Sequence, residues 1–218
     1  MDSEYIVEVL ETISKYVGTS PEDLAVTVAS RLNNPFAVLV STILSLRTRD
    51  EVTAIVTPRF LSAASTPQET VLLTEEQIEN LIYPTSFYRM KSKYILNISK
   101  DLISKFDGKV PDSMEDLLTL KGIGRKSANL IINLAFKKDG ICVDAHVGRI
   151  VNRLGFVQTS DPEATEYALM SVLPQKWWIP INGDFIAFGR KTCTPTSPRC
   201  SSCPVSHLCE KNGVKKFR

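Results

Sequence analysis

The chain has 218 residues, 43% of them apolar, enough to bury a sizeable core as one large domain or two small ones. Its formal net charge of +2 argues nothing by itself about a polyanionic partner. No apolar run approaches the roughly eighteen residues of a membrane span, and low-complexity tracts and obvious repeats are absent.

Helical periodicity runs through almost the whole chain. Met1-Asp2-Ser3-Glu4 opens straight into an amphipathic stripe, Tyr5-Ile6, Val9-Leu10 and Ile13, with no signal-peptide core. Ser20-Pro21-Glu22-Asp23 is an N-cap, a proline at the first helical position and acids in the first turn, the start of a second helix. Asn34-Pro35-Phe36 starts a third, whose Val38-Leu39-Val40 and Ile43-Leu44 are apolar nearly all round, which predicts a central position. Thr74-Glu75-Glu76-Gln77 and Asp112-Ser113-Met114-Glu115 have the pattern of capping boxes. Alternating strands are missing. The expectation is an all-α protein of about ten helices, most of them short, joined by Pro- and Gly-marked turns.

Between Asp112 and Phe136 a short helix with Leu117, Leu118 and Leu120 runs into Lys121-Gly122-Ile123-Gly124-Arg125-Lys126, and a second helix follows. Gly122 and Gly124 allow a tight turn with positive φ, while Ile123 plugs the gap between the helices. Gly124 has no side chain to hold a phosphate away, and the next residues expose the unpaired N–H groups of a helix start. A plain helix corner is the other reading. Arg125 and Lys126 favour the phosphate site.

Cys193, Cys200, Cys203 and Cys209 are spaced C-x6-C-x2-C-x5-C near the end of the chain, interrupted by Pro195, Pro198 and Pro204. The spacing is not the paired C-x2-C pattern of a zinc ribbon, and it suits a loop folded around a metal centre. An iron–sulfur cube, zinc and disulfides all remain open on spacing alone, with the cube favoured. Charge is segregated. Residues 1–83 hold 5 basic and 12 acidic side chains, residues 84–140 hold 11 and 6, and residues 141–218 hold 10 and 6. A polar molecule of this kind can present one positive face to a polyanion.

Leu120 to Asn129, then Val143-Asp144-Ala145-His146 with Arg149, Asn152 and Arg153 behind it, then the cysteine loop, resembles the endonuclease III family of base-excision DNA glycosylases. The similarity extends from about Asn34 to the last cysteine. It implies a two-lobed helix-hairpin-helix fold: a six-helix barrel over 27–138 with the hairpin at 112–136, and a second lobe of 1–26 with 139–218. It also implies a [4Fe–4S] cluster on Cys193, Cys200, Cys203 and Cys209. Duplex DNA with damaged bases or abasic sites is the implied partner, and the expected state is a monomer away from membranes, in the cytoplasm of a prokaryote or in the nucleus or an organelle of a eukaryote.

The residues themselves leave two roles for Lys126: a nucleophile attacking C1′ of a deoxyribose, or a phosphate grip such as Arg125. A lysine at this position resembles the bifunctional glycosylase/lyases. The attack needs a neutral amine, which like charge, the helix N-terminus and burial would favour. Asp144 could simply cap the following helix; the resemblance makes it a catalytic carboxylate that stabilises charge on the sugar. His146 is read as a structural hydrogen-bonder, Cys142 as a small buried residue and His207 as no ligand. Arg47 stands where the family commonly has glutamine and would fill the hole left by an extruded nucleotide. Phe87 takes the place of an apolar wedge, with a buried core role as its alternative. Arg190, Lys191 and Arg199 are expected on phosphates. These features imply a glycosylase with AP-lyase activity on oxidised or ring-saturated pyrimidines. The alternatives are a monofunctional thymine/uracil mismatch glycosylase and a non-catalytic iron–sulfur protein that binds DNA or senses redox state.

Overall fold

A computed structural model describes residues 3–18 and 33–218, and every regular element among them is helical. The helix expected from Ser20 and the expected barrel start at residue 27 lie outside the described residues. The chain divides into two compact units, one within residues 22–138 and the other combining the N-terminal residues with 139–218.

In the first unit α2 (Pro35–Ser45) is the axis. Asn34 caps it, its Oδ1 accepting from Phe36 N at 2.9 Å and Ala37 N at 3.3 Å, with Pro35 behind the cap. Every residue from Phe36 to Leu44 is buried, as a stripe apolar all round requires. Around α2 pack α3 (Asp50–Ala63), α6 (Tyr88–Phe106) and α8 (Arg125–Phe136). Two short helices, α4 (Pro67–Thr70) and α5 (Glu75–Ile82), lie against α6, and α7 (Met114–Thr119) precedes α8. Leu39, Ile43, Phe60, Ile78, Ile98 and Leu102 have no exposed surface in this core. Each such side chain contributes about 1.5–3 kcal/mol.

The capping box at α5 is complete: Gln77 N donates to Thr74 Oγ1 (3.1 Å) and Thr74 N to Gln77 Oε1 (2.8 Å). The second one is shifted by a residue. Ser113 caps α7, accepting from Asp116 N at 3.1 Å, while Asp112 forms an ion pair with Lys138 at 2.7 Å. Ser113 has the extended backbone a cap needs, and its hydroxyl also donates to the Asp116 carboxylate at 2.7 Å.

In the second unit α1 (Ser3–Val17) buries Ile6, Val9, Leu10 and Ile13, the predicted stripe. It packs on α11 (Pro180–Lys191), which in turn meets α9 (Ala145–Leu154); α10 (Pro162–Val172) covers α9. Two tyrosines of α1 reach the end of the chain. The Tyr5 hydroxyl donates to Leu154 O (3.2 Å) and Leu208 O, and the Tyr16 hydroxyl meets Thr192 Oγ1 at 3.1 Å. No described helix is long and apolar enough to cross a membrane.

Candidate functional site

The hairpin between α7 and α8 is locked by apolar contacts. Ile123 is 5% exposed within the core, and its N–H donates to Leu120 O at 3.0 Å. The two glycines are not equivalent, contrary to the sequence expectation. Gly122 has φ +98°, and a Cβ there would come within 2.7 Å of the Tyr94 ring, so both conformation and packing demand glycine. Gly124 is extended at φ −99°, ψ 172°, and a Cβ there would meet nothing within 4 Å. The space in front of the α8 N-terminus is therefore open, and the first-turn N–H groups face it.

Behind Gly124 the side chains sort by helical position. Ser127 and Ala128 turn inward and are buried, Arg125 is half-buried and Lys126 is exposed. The burial expected around the Lys126 amine is thus absent, because its position on the first turn lies off the core face taken by Ser127, Ala128 and Ile131.

Asp144 follows Ile141, Cys142 and Val143, all buried, and stands at the head of α9. The Cys142 carbonyl accepts from Asn182 Nδ2 at 3.0 Å, and this pins the approach. Asp144 Oδ1 accepts from His146 N (2.8 Å) and Val147 N (2.9 Å), so the carboxylate is both cap and fixed negative charge. His146 Nδ1 lies 3.0 Å from a terminal nitrogen of Arg149, consistent with a structural role. Gly189 of α11 packs so closely here that a Cβ would strike both side chains.

Two loops of the first unit carry Arg47 and Phe87. Both residues have left-handed backbones, φ 54° and 56°, and both are exposed, Phe87 to 55%. The core alternative for Phe87 therefore falls. The Arg47 guanidinium lies over the Phe87 ring, 5.8 Å from its centroid, although the residues are forty positions apart. Beneath them Lys91 is 3% exposed, and burial pulls its amine down to about 8. Sequence reasoning passes over Lys91, although one signal points to it: it shares a helical face with Ile95, Ile98 and Leu102, where an apolar residue is the norm.

The four C-terminal cysteines line one pocket with Phe188, Val205 and Arg153. None of the five cysteines is joined in a disulfide, so the disulfide alternative falls. Burial pushes the Cys203 thiol up to about 11, to which charge on Cys193, Cys209 and Cys200 also contributes; Cys200 and Cys209 are raised too, again chiefly by burial. Four soft donors in one half-buried pocket suit a cationic core that takes all four as thiolates. The surroundings are ready for such charge: Arg153 donates to Cys193 Sγ at 3.4 Å and Lys211 N to Cys209 Sγ at 3.4 Å. Arg149 holds Cys193 O at 3.0 Å, and Arg153 also reaches Thr194 O and Pro195 O, each at 2.7 Å. Spacing singles out the four cysteines, but the two arginines that brace the loop become apparent only in the fold. Arg190, Lys191 and Arg199 are exposed in the same unit, with the Lys191 amine 4.1 Å from the Tyr16 ring centroid.

A helix-hairpin-helix with an open helix start, a capped aspartate and a four-cysteine loop define a class, and similarity to known proteins agrees. Residues 40–175 match the HhH-GPD superfamily of base excision DNA repair proteins, and residues 193–209 match the iron-sulfur binding domain of endonuclease III. The chain is 46% identical over 177 residues to endonuclease III of Thermotoga maritima, covering 81% of this chain and 83% of that protein. The fold is similar to that of a trapped endonuclease III–DNA covalent intermediate, with a TM-score of 0.85, 32% identity and 97% of each chain covered. A thermostable thymine-DNA glycosylase shares the fold alone, with a TM-score of 0.83 at 20% identity over 95% of this chain and 96% of that one. The chain belongs to the endonuclease III family. Its cofactor is a [4Fe–4S] cluster.

Proposed function

We propose that Lys126 is the nucleophile and Asp144 the assisting carboxylate of a base-excision DNA glycosylase with AP-lyase activity, directed at ring-saturated or oxidised pyrimidines in duplex DNA. The enzyme class, a bifunctional glycosylase/lyase, follows from membership of the family. One observation carries the assignment of Lys126: an exposed amine on the first turn of α8, directly behind a glycine that leaves the helix start open. A phosphate seated on those N–H groups brings its own sugar within reach of the side chain.

Attack of the neutral Lys126 amine on C1′ forms the C–N bond and breaks the bond to the base, which departs with the electron pair. Opening of the sugar leaves an iminium, which acidifies the C2′ proton; loss of that proton expels the 3′ phosphate by β-elimination. The Asp144 carboxylate, held by two backbone N–H groups, favours positive charge on the sugar and can accept a proton. Arg47 and Phe87 serve as plug and wedge for the vacated position, and Gly122, Gly124 and Arg125 hold the backbone, with Arg190, Lys191 and Arg199 on further phosphates. Cys193, Cys200, Cys203 and Cys209 would hold the cluster, which would tie the loop of residues 193–209 together and would supply no chemistry at the sugar. Operation beside DNA, in the cytoplasm of a prokaryote or in the nucleus or an organelle of a eukaryote, fits this reading.

The chemistry favours ring-saturated lesions, because non-planar bases stack poorly and leave the duplex at the smallest penalty. Borohydride should trap the wild-type protein on abasic duplex, and Lys126→Ala should abolish trapping while binding persists. Trapping of the variant at wild-type yield assigns the amine elsewhere. On duplexes differing only in the central lesion, thymine glycol or dihydrouracil should be cut far faster than thymine or uracil opposite guanine; the reverse preference with an intact abasic strand as product shows a monofunctional mismatch enzyme.

A further inference from the structure

The core-facing stripe of α6 runs through positions 91, 95, 98 and 102, and three of them are Ile95, Ile98 and Leu102. The fourth is a lysine, buried to 3% exposure. Its ammonium donates to Leu44 O at 2.7 Å, at the end of α2, and to Thr48 Oγ1 at 2.8 Å. The same Thr48 hydroxyl oxygen accepts from Ser86 N at 3.1 Å. Two loops distant in sequence thus meet on one hydroxyl, with a core lysine beneath it. Arg47 directly precedes Thr48, and Phe87 directly follows Ser86. Both hold left-handed conformations that L-residues keep only when their surroundings enforce them.

We propose that Lys91 is a positioning residue for nucleotide extrusion: through Thr48 it holds the tips that carry Arg47 and Phe87 as one rigid pair, so plug and wedge engage the duplex together. The proposal rests on the reading that those two side chains enter the duplex. A buried ammonium is a costly way to fill core space, and a methionine of similar length would fill it without the desolvation. What the lysine adds is donors that reach two loop acceptors from inside a rigid helix. Burial draws the amine to about 8, so at neutral pH it still carries its charge and both bonds. The pairing of Arg47 with Phe87 at 5.8 Å is what a shared mount for the two tips produces.

The test compares single-turnover excision of thymine glycol paired in a duplex with excision of the same lesion placed opposite a one-nucleotide gap, where little extrusion work remains. Lys91→Met and Thr48→Val should each slow the paired reaction by about tenfold or more and approach the wild-type rate on the gapped one. Thr48→Ser keeps the hydroxyl and should excise the paired lesion at close to the wild-type rate. In a protein already carrying Arg47→Ala and Phe87→Ala, Thr48→Val should add no further loss, since residues acting through the same element are not additive. Equal losses on paired and gapped lesions, a Thr48→Ser defect as large as that of Thr48→Val, or a multiplicative loss in the double background would overturn the proposal. If Arg47→Ala and Phe87→Ala themselves excise the paired lesion at the wild-type rate, the plug-and-wedge reading fails and takes this inference with it; a defect in those variants without one in Lys91→Met or Thr48→Val removes the lysine alone.

Discussion

The first unit and the cysteine loop are held together by different means. Around α2, Leu39, Ile43, Phe60, Ile78 and their neighbours exclude water completely, and the hairpin hangs from that core through Ile123 and Leu120. The loop from Cys193 to Cys209 buries little of its own beyond Val205 and Pro198, and it is braced by Arg149 and Arg153 onto carbonyls and a thiol. A short segment rich in Ser, Thr and Pro cannot build an apolar core, so ligation takes over the work that burial does elsewhere. One region should therefore answer to cavities and the other to metal.

Cys203→Ala should show the largest effect. The purified wild-type protein should absorb near 400 nm with about four irons per chain, and the variant should lose both, with proteolysis concentrated in residues 193–218. Retention of iron at wild-type stoichiometry would remove Cys203 from the ligand set. Leu39→Ala strikes the other region: a cavity in a fully buried site should cost about 2–5 kcal/mol in urea unfolding while the absorbance per folded chain stays unchanged. If the variant bleaches as it destabilises, the two regions are not separate in the way described.

Lys91 gives an intermediate effect that depends on pH. Its folded value, about 8, lies below its ordinary 10.5, so the folded state resists the proton. Below about pH 8 both states carry it and the full penalty applies. Between about 8 and 10.5 the unfolded state binds more protons, and stability should rise with pH by about 3 kcal/mol in total, reaching its full value above 10.5. Urea titrations of wild type and Lys91→Met across this range isolate the term, since the rise should be missing from the variant alone. Asp144→Asn should be the mildest in stability, about 1 kcal/mol from a weakened cap, but should slow turnover by roughly two orders of magnitude. Near wild-type turnover would leave Asp144 a cap only.

Much of the fold and of the site is legible in the amino-acid sequence alone. The stripe at Ile6, Val9, Leu10 and Ile13, the all-apolar α2 and the Thr74 capping box are local patterns, and each reports on its own helix because periodicity and capping act within a few residues. The cysteine spacing and the Gly122–Lys126 turn nominate a metal loop and a phosphate site, while zinc, disulfides and a plain helix corner stay open on the sequence alone. Local pattern misplaces the cap at Asp112 by one residue, since a serine beside it meets the backbone requirement and a distant Lys138 claims the aspartate. It also cannot distinguish Gly122 from Gly124: the first is bound to glycine by the Tyr94 ring of another helix, the second by nothing but open space. The Arg47–Phe87 pair, the lysine under both loops and the arginines behind the cysteines all join residues about forty apart in the chain. Such contacts depend on how helices pack, and that packing is decided by the whole core at once rather than by any short stretch of sequence.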